Sequence, residues 1–282
     1  MRRFIKKSPM GLIGACVILA LVALALLAPV LCPFQPTKQA LRSSLRPPGW
    51  RDEAGNLHLL GTDHFGRDLL ARVLSGLRIS LLVGLSATAI AGAIGTALGL
   101  VSGYFGGTLD SVIMRVVDIQ LSIPYMLIAL IWAAFSQRST LNIVLVVAIR
   151  GWVTFARVVR AEVLSYRERP FVEAARAIGV STPRILYRHV LPQVLAQVFI
   201  IATFFVGTAI LLESALGFLG LGVPPPTPTL GGLLSDGRRY MTSAWWLTTL
   251  PGVALMLIVL SVNFMGDGLR DVLDPRLRGS GL

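Results

Sequence analysis

Charge is scarce in this 282-residue chain. Only 14% of its residues are charged and 54% are hydrophobic, whereas a soluble domain carries about a quarter charged residues. That excludes an ordinary soluble fold and points to a helical protein that crosses a membrane repeatedly. Lysine is rarer still, with Lys6, Lys7 and Lys38 the whole supply. A phosphate-cradling loop of the form G-x-x-x-x-G-K-[ST] needs a lysine after a glycine, and none of the three stands in one. The stretch GFLGLG at 217–222 has the wrong spacing for such a loop and follows an apolar run. Cysteine is reduced to Cys16 and Cys32. Within one straight helix they would lie about 24 Å apart, far beyond the ~7 Å that a disulfide tolerates between Cα atoms. Histidine stops at His58, His64 and His189. With Asp63 and Asp68 the first two are scattered over a loop without a metal-ligand spacing, so neither a metal site nor a catalytic triad is read.

Long apolar runs fill the space left by charge. Six can cross a hydrocarbon layer of about 30 Å: residues 10–31, 79–101, 116–135, 141–159, 194–216 and 245–265. The first is too long for a signal-peptide core of about 7–15 residues and is read as an uncleaved span. Arg150 interrupts the fourth. The sequence therefore predicts an all-α membrane protein with six transmembrane helices. Two parts are expected: 1–78, holding the first span and a long loop, and 79–282, holding the other five.

The net charge of +12 is read as loop charge, not as a nucleic-acid surface, because no basic stripe interleaved with aromatics lies outside the spans. Arg2, Arg3, Lys6, Lys7, the arginines from Arg157 to Arg188, and Arg270, Arg276 and Arg278 fall on one side of a six-span topology. That side is expected to be cytoplasmic, with both termini. The first outer loop ends with Leu69, Leu70, Val73, Leu74 and Leu77 at helical spacing, with Arg67, Asp68, Arg72 and Arg78 between them. This pattern predicts an amphipathic helix on the membrane surface. The last outer loop, at 217–244, carries Pro224, Pro225 and Pro226 among glycines and must pack on protein or line a cavity.

One cytoplasmic stretch is neither apolar nor a plain linker: RPFVEAARAIGVSTPRILYRHVLP at 169–192. Pro170 suits a first helical turn, and Ala174, Ala175 and Ala177 favour helix. Gly179 suits a left-handed stop, and Ser181, Thr182 and Pro183 suit a fresh start. Pro192 suits the start of the fifth span. A short helix with a low-relief alanine face can enter a groove on another protein; an incidental helix in a solvated loop is the plain alternative.

This stretch resembles the EAA motif of binding-protein-dependent ABC importer permeases, through Glu173, Ala174, Ala175, Gly179, Leu191 and Pro192. It departs where the motif has Ile, which here is His189. HLLGTDHFGRDLLARVLSGLRISLLVG, MRVVDIQLSIPYMLIAL, FARVVRAEVLSYRERPFVEAARAIG, ESALGFLGLGVPPPTPTLGGLLSDGRRY and NFMGDGLRDVLDPRLR resemble further blocks of C-type subunits of the dipeptide, oligopeptide and nickel branch. The resemblance implies a non-catalytic permease of the bacterial inner membrane, whose EAA helix couples it to ATPase subunits that bind ATP and magnesium. It implies no cofactor in this chain, and as partners a B-type permease, two ATPases and an external substrate-binding protein. Short peptides are the implied cargo, with nickel, glutathione or another solute as alternatives. A secondary transporter would instead require mid-span acids and no coupling helix.

Four residues are candidates for a translocation path or an ion pair. Arg115 and Asp118 share a helix face at the start of the third span, with Pro124 placed to kink it. Glu213 and Arg150 are ionisable groups inside spans, costly unless they face the interior, water or a partner. Glu213 can instead brace the last outer loop, and Arg150 can instead snorkel to an interface.

Overall fold

The structure, a computed structural model, describes residues 9–273. It is built of helices: α1 Pro9–Leu31, α2 Leu69–Phe105, α3 Gly107–Ser122, α4 Tyr125–Phe135, α5 Thr140–Tyr166, α6 Pro170–Ala177, α7 Thr182–Ile185, α8 Leu191–Phe218, α9 Leu230–Gly237 and α10 Trp246–Leu273. A two-stranded hairpin of β1 (Trp50–Arg51) and β2 (Leu57–His58) decorates the loop after α1. Among the described residues five helices are long and apolar enough to cross a membrane, and α3 with α4 forms a sixth if the bent pair is one span.

The bend answers to the sequence. The two helices meet at 88°. Ile123, just before Pro124, is extended (φ −93°, ψ 124°), because a proline ring clashes with a helical residue ahead of it. The third apolar run is therefore two helices, α3 and α4, bent where Pro124 predicts.

Two boundaries differ from expectation. No separate surface helix precedes the second span, because α2 runs unbroken for 37 residues, about 55 Å, and the boundary drawn at 78/79 falls inside it. Nothing between Leu77 and Ile79 breaks a helix, and Leu69, Val73 and Leu77 are buried against Leu230, Leu233, Trp246 and Leu247, not against lipid. Pro192 stands in the first turn of α8, as expected, but no break precedes it. Helix continues from Thr182 to Phe218, with a π-helical turn over Leu186–Val190 just ahead of the proline that lacks an amide donor.

α2 and α5 make the largest interface in the molecule, and glycine explains how. A Cβ on Gly95 would lie 2.3 Å from the Trp152 carbonyl oxygen, one on Gly99 2.7 Å from that of Ala156, and one on Gly103 2.8 Å from Val163 Cβ. Glycines four apart put one bare stripe on α2, and the backbone of α5 lies in it. Without a hydrophobic drive between helices in lipid, this close dispersion contact is what holds the pair. Elsewhere α1 packs on α10, and α8 packs on both α2 and α10.

Candidate functional site

α6 lies at one end of the helical bundle, next to the ends of α2 and α5. Val172 and Ala175 face inward, buried among Val159, Val163, Ile185, Val190 and Val194. Steps of three and four residues put Phe171, Ala174 and Ile178 together on an adjoining face. All three are exposed, Ile178 by 80%. The helix stops as predicted. Gly179 has φ +77°, its amide donates to the Arg176 carbonyl at 3.0 Å, and the Val180 amide donates to the Ala175 carbonyl at 3.0 Å. This is the six-to-one and five-to-two pairing of a glycine-terminated helix. Glu173 in the first turn is exposed, and its charge suits the helix N-terminus.

α6 is also tied sideways. Arg176 Nε donates to the Tyr104 hydroxyl at 3.1 Å, and its guanidinium lies 5.0 Å over that ring. Tyr104 belongs to the last turn of α2. Nearby, Arg160 of α5 grips Asp110 of α3 with two hydrogen bonds, Nε at 2.5 Å and Nη2 at 2.6 Å, and Ser102 of α2 donates to the same carboxylate. The short helix thus sits where α2, α3, α5 and α8 converge. Leu191 is half-buried and Pro192 exposed, at the entry to α8.

The opposite end holds a polar structure that helical periodicity did not reveal. Asp63 accepts from the Phe65 and Arg67 amides, both at 2.9 Å, from Arg67 Nε at 2.7 Å, and from Arg72 Nη1. Burial by itself would raise the Asp63 carboxyl, but the charges of Arg72 and Arg67 and these donors hold it below the usual range. Arg67 and Arg72, predicted to lie on a polar helix face, are 7% and 5% exposed; of that predicted face only Arg78 is exposed. Asp68, buried as well, caps α2 through the Ala71 amide at 2.8 Å and lies 2.8 Å from His58 Nδ1. His58 is stacked 4.4 Å from Phe34. Among the described residues no group of three or more His, Cys, Asp or Glu side chains is placed to hold a metal.

The four ionic candidates separate. Arg115 and Asp118 are both exposed on α3, and no ion pair joins them among the described residues. Glu213 is fully buried. It accepts from Ser80 of α2 at 2.7 Å, while its second oxygen, Oε1, is buried without a hydrogen-bond partner. That contact stitches α8 to α2 beneath the 219–229 loop. Arg150 is half-buried in α5, about 15 Å from that helix's start, and makes no ion pair among the described residues. It lies in the electrostatic reach of Tyr125, whose hydroxyl is buried without a partner. Gln120 closes the last turn of α3 onto α5 beside it, donating to the Ile149 carbonyl at 2.5 Å and accepting from Trp152 Nε1 at 2.9 Å.

Two features went unread in the sequence. The glycine stripe was visible as G-x-x-x-G-x-x-x-G at 95, 99 and 103. The partnership of Arg67 and Arg72 with Asp236, at 3.9 and 3.5 Å, had no local signal, because more than 160 residues separate them.

Comparison with known proteins agrees with this architecture. Residues 95–279 match the family of binding-protein-dependent transport system inner membrane components, and residues 1–48 match the N-terminal transmembrane domain of oligopeptide transport permease C. The dipeptide transport system permease protein DppC of Haemophilus influenzae is 40% identical over 275 residues, covering 98% of this chain and 93% of that one. The di/tripeptide transport system permease protein DppC of Pseudomonas aeruginosa is 42% identical, covering 95% and 88%. Among solved structures, the MetNI methionine ABC transporter in an inward-facing conformation superposes with a TM-score of 0.59 at 19% identity, over 72% of this chain and 96% of that one. That last likeness concerns the fold alone. The chain belongs to the inner membrane components of binding-protein-dependent ABC importers, as a C-type permease.

Proposed function

We propose that this chain is one of two membrane subunits of an ATP-driven importer of short peptides, and that α6 is its coupling helix. The cargo assignment rests on the peptide permeases that are about 40% identical over nearly the whole length. The mechanical assignment rests on one observation: a helix held rigidly from beneath by Val172 and Ala175 presents an uncovered ridge of Phe171, Ala174 and Ile178. Apolar side chains so exposed favour burial in a partner's groove. The occupant of the ridge is an ATPase subunit, which supplies ATP and magnesium. In this arrangement the chain has no catalytic residue and no cofactor of its own. Both termini and α6 face the cytoplasm, while the Pro-rich loop and the 32–68 segment face outward, toward the external binding protein. A B-type permease completes the pathway.

Movement of α6 reaches the spans by short routes. The chain passes into α5 after three residues and into α7 after four, and Arg176 carries motion into α2 through Tyr104. Arg150, mid-span and without an acid partner among the described residues, lines the path and faces cargo or the second permease, as do the exposed Arg115 and Asp118. Glu213 braces the outer loop.

The test is reconstitution. The purified chain alone hydrolyses no ATP. Vesicles holding it with the B-type permease, the ATPases and the binding protein take up dipeptide when ATP is supplied. ATP turnover by the isolated chain, or uptake driven by an ion gradient without ATP, contradicts the reading.

A further inference from the structure

The end of the molecule remote from α6 contains a cavity of about 230 Å³ with a pronounced charge imbalance. Arg67, Arg72 and Arg138 line it, and Asp236 is the one acid among its lining residues. Arg67 and Arg72 are recessed, 7% and 5% exposed. Asp63 grips both from behind and does not itself line the cavity. Their Nη2 groups meet only Asp236, half exposed, at 3.9 and 3.5 Å, longer than a charge-assisted hydrogen bond. Arg72 Nε is buried without any hydrogen-bond partner, a costly state that a ligand or water relieves. Arg138, from the connection between α4 and α5, is exposed. The opposite wall is the run Pro224, Pro225, Pro226 and Pro228, whose rings fix its shape in advance.

We infer that this cavity is a carboxylate-binding site that receives the C-terminal carboxylate of the transported peptide. Guanidinium groups match a carboxylate in paired hydrogen bonds. Two of them are orientated by Asp63 before any ligand arrives, which lowers the ordering cost. The volume is below the roughly 300–1,000 Å³ of a site that engulfs a whole small ligand, so it accepts an end group. The recess admits a slender terminus and leaves the rest of the peptide outside. Asp236 occupies the site weakly and gives way to the better-placed anion. This inference rests on the peptide reading above.

The test is equilibrium binding of radiolabelled dialanine and of its C-terminal amide to the importer complex in nanodiscs, with the binding protein left out. Dialanine binds and the amide binds about tenfold more weakly or not at all, as loss of a charge-assisted contact implies. Arg138→Gln, at an exposed side chain without a partner among the described residues, weakens dialanine binding about three- to tenfold and leaves the amide unchanged. Asp236→Asn removes the competing acid and strengthens dialanine binding. Equal binding of acid and amide, or variants that leave dialanine binding unaltered, overturns the inference. So does a result in which both variants change only the docking affinity of the binding protein, which identifies the occupant as an acidic side chain of that protein. Failure of the peptide reading shows separately: the complete wild-type system with its binding protein then takes up no dialanine into vesicles.

Discussion

Replacing Gly95 by alanine adds one methyl group to the tightest point between α2 and α5. The new Cβ would stand 2.3 Å from the Trp152 carbonyl oxygen and 2.5 Å from Phe155 Cβ. Ordinary contact begins near 3.4 Å, so the helices must part by about 1 Å along a seam where both backbones are rigid. Overpacking of this kind costs about 1–3 kcal/mol, while alanine recovers about 0.5–1 kcal/mol of helix propensity. The net loss is about 1–2 kcal/mol, a fall of roughly 2–8 °C in melting temperature for a chain of this size. Gly92→Ala is the internal control. Its Cβ would meet nothing closer than 3.5 Å, so only the propensity gain remains and the melting temperature is unchanged or slightly raised. Thermal unfolding of the detergent-solubilised protein, followed by size-exclusion chromatography, measures both. A Gly95→Ala protein that melts with or above wild type, or a Gly92→Ala protein that falls as far, refutes the account of the interface.

The other predictions concern charge and topology. Asp63→Asn leaves Arg67 and Arg72 buried without their shared acid, at a cost of about 3–5 kcal/mol near neutral pH. Because the folded carboxyl titrates below its unfolded value of about 4, its contribution is complete above that pH and disappears as pH falls. The difference in melting temperature between wild type and Asp63→Asn therefore narrows below about pH 4, and a constant difference contradicts the assignment. Arg150→Gln lowers peptide uptake about tenfold with assembly and basal ATPase activity intact. Unchanged uptake dismisses a path role, and lost assembly identifies an ion pair with the second permease. Single cysteines replacing Ala54, Ala174 and Arg239 in a background without Cys16 and Cys32 test the orientation. The first and third react with an impermeant reagent outside intact cells, and labelling at Ala174 rejects the topology.

Local chemistry was legible wherever the cause of a structure lay within a few residues of it. Pro170 and Gly179 bound α6 because one lacks an amide and the other a side chain, properties that act on the adjacent turn alone. Pro124 breaks the third apolar run for the same reason. The apolar runs announced the spans through composition, although their ends drifted: α2 extends through the stretch that looked like a surface helix. There the period was right and the environment was wrong. Leu69, Val73 and Leu77 face α9 and α10, and Arg72 turns back to Asp63 and reaches Asp236 in a distant part of the chain. A helical period shows that one face is apolar without showing what covers it. The contacts of Glu213 with Ser80 and of Arg67 with Asp236 join residues far apart in the chain, and no pattern within a window encodes them.

The central claim is that α6 is the point where an ATPase engages this chain, and Ile178→Asp tests it most directly. Ile178 is 80% exposed and takes no part in the packing that anchors α6, so the substitution leaves the fold intact while placing a charge in the docking ridge. Copurification of the complex through a tag on the B-type permease measures the outcome. The account predicts that this chain is recovered with the B-type permease while the ATPase subunits are largely lost, and that ATP-driven uptake falls with them. Full recovery of the ATPases with unchanged uptake would contradict it.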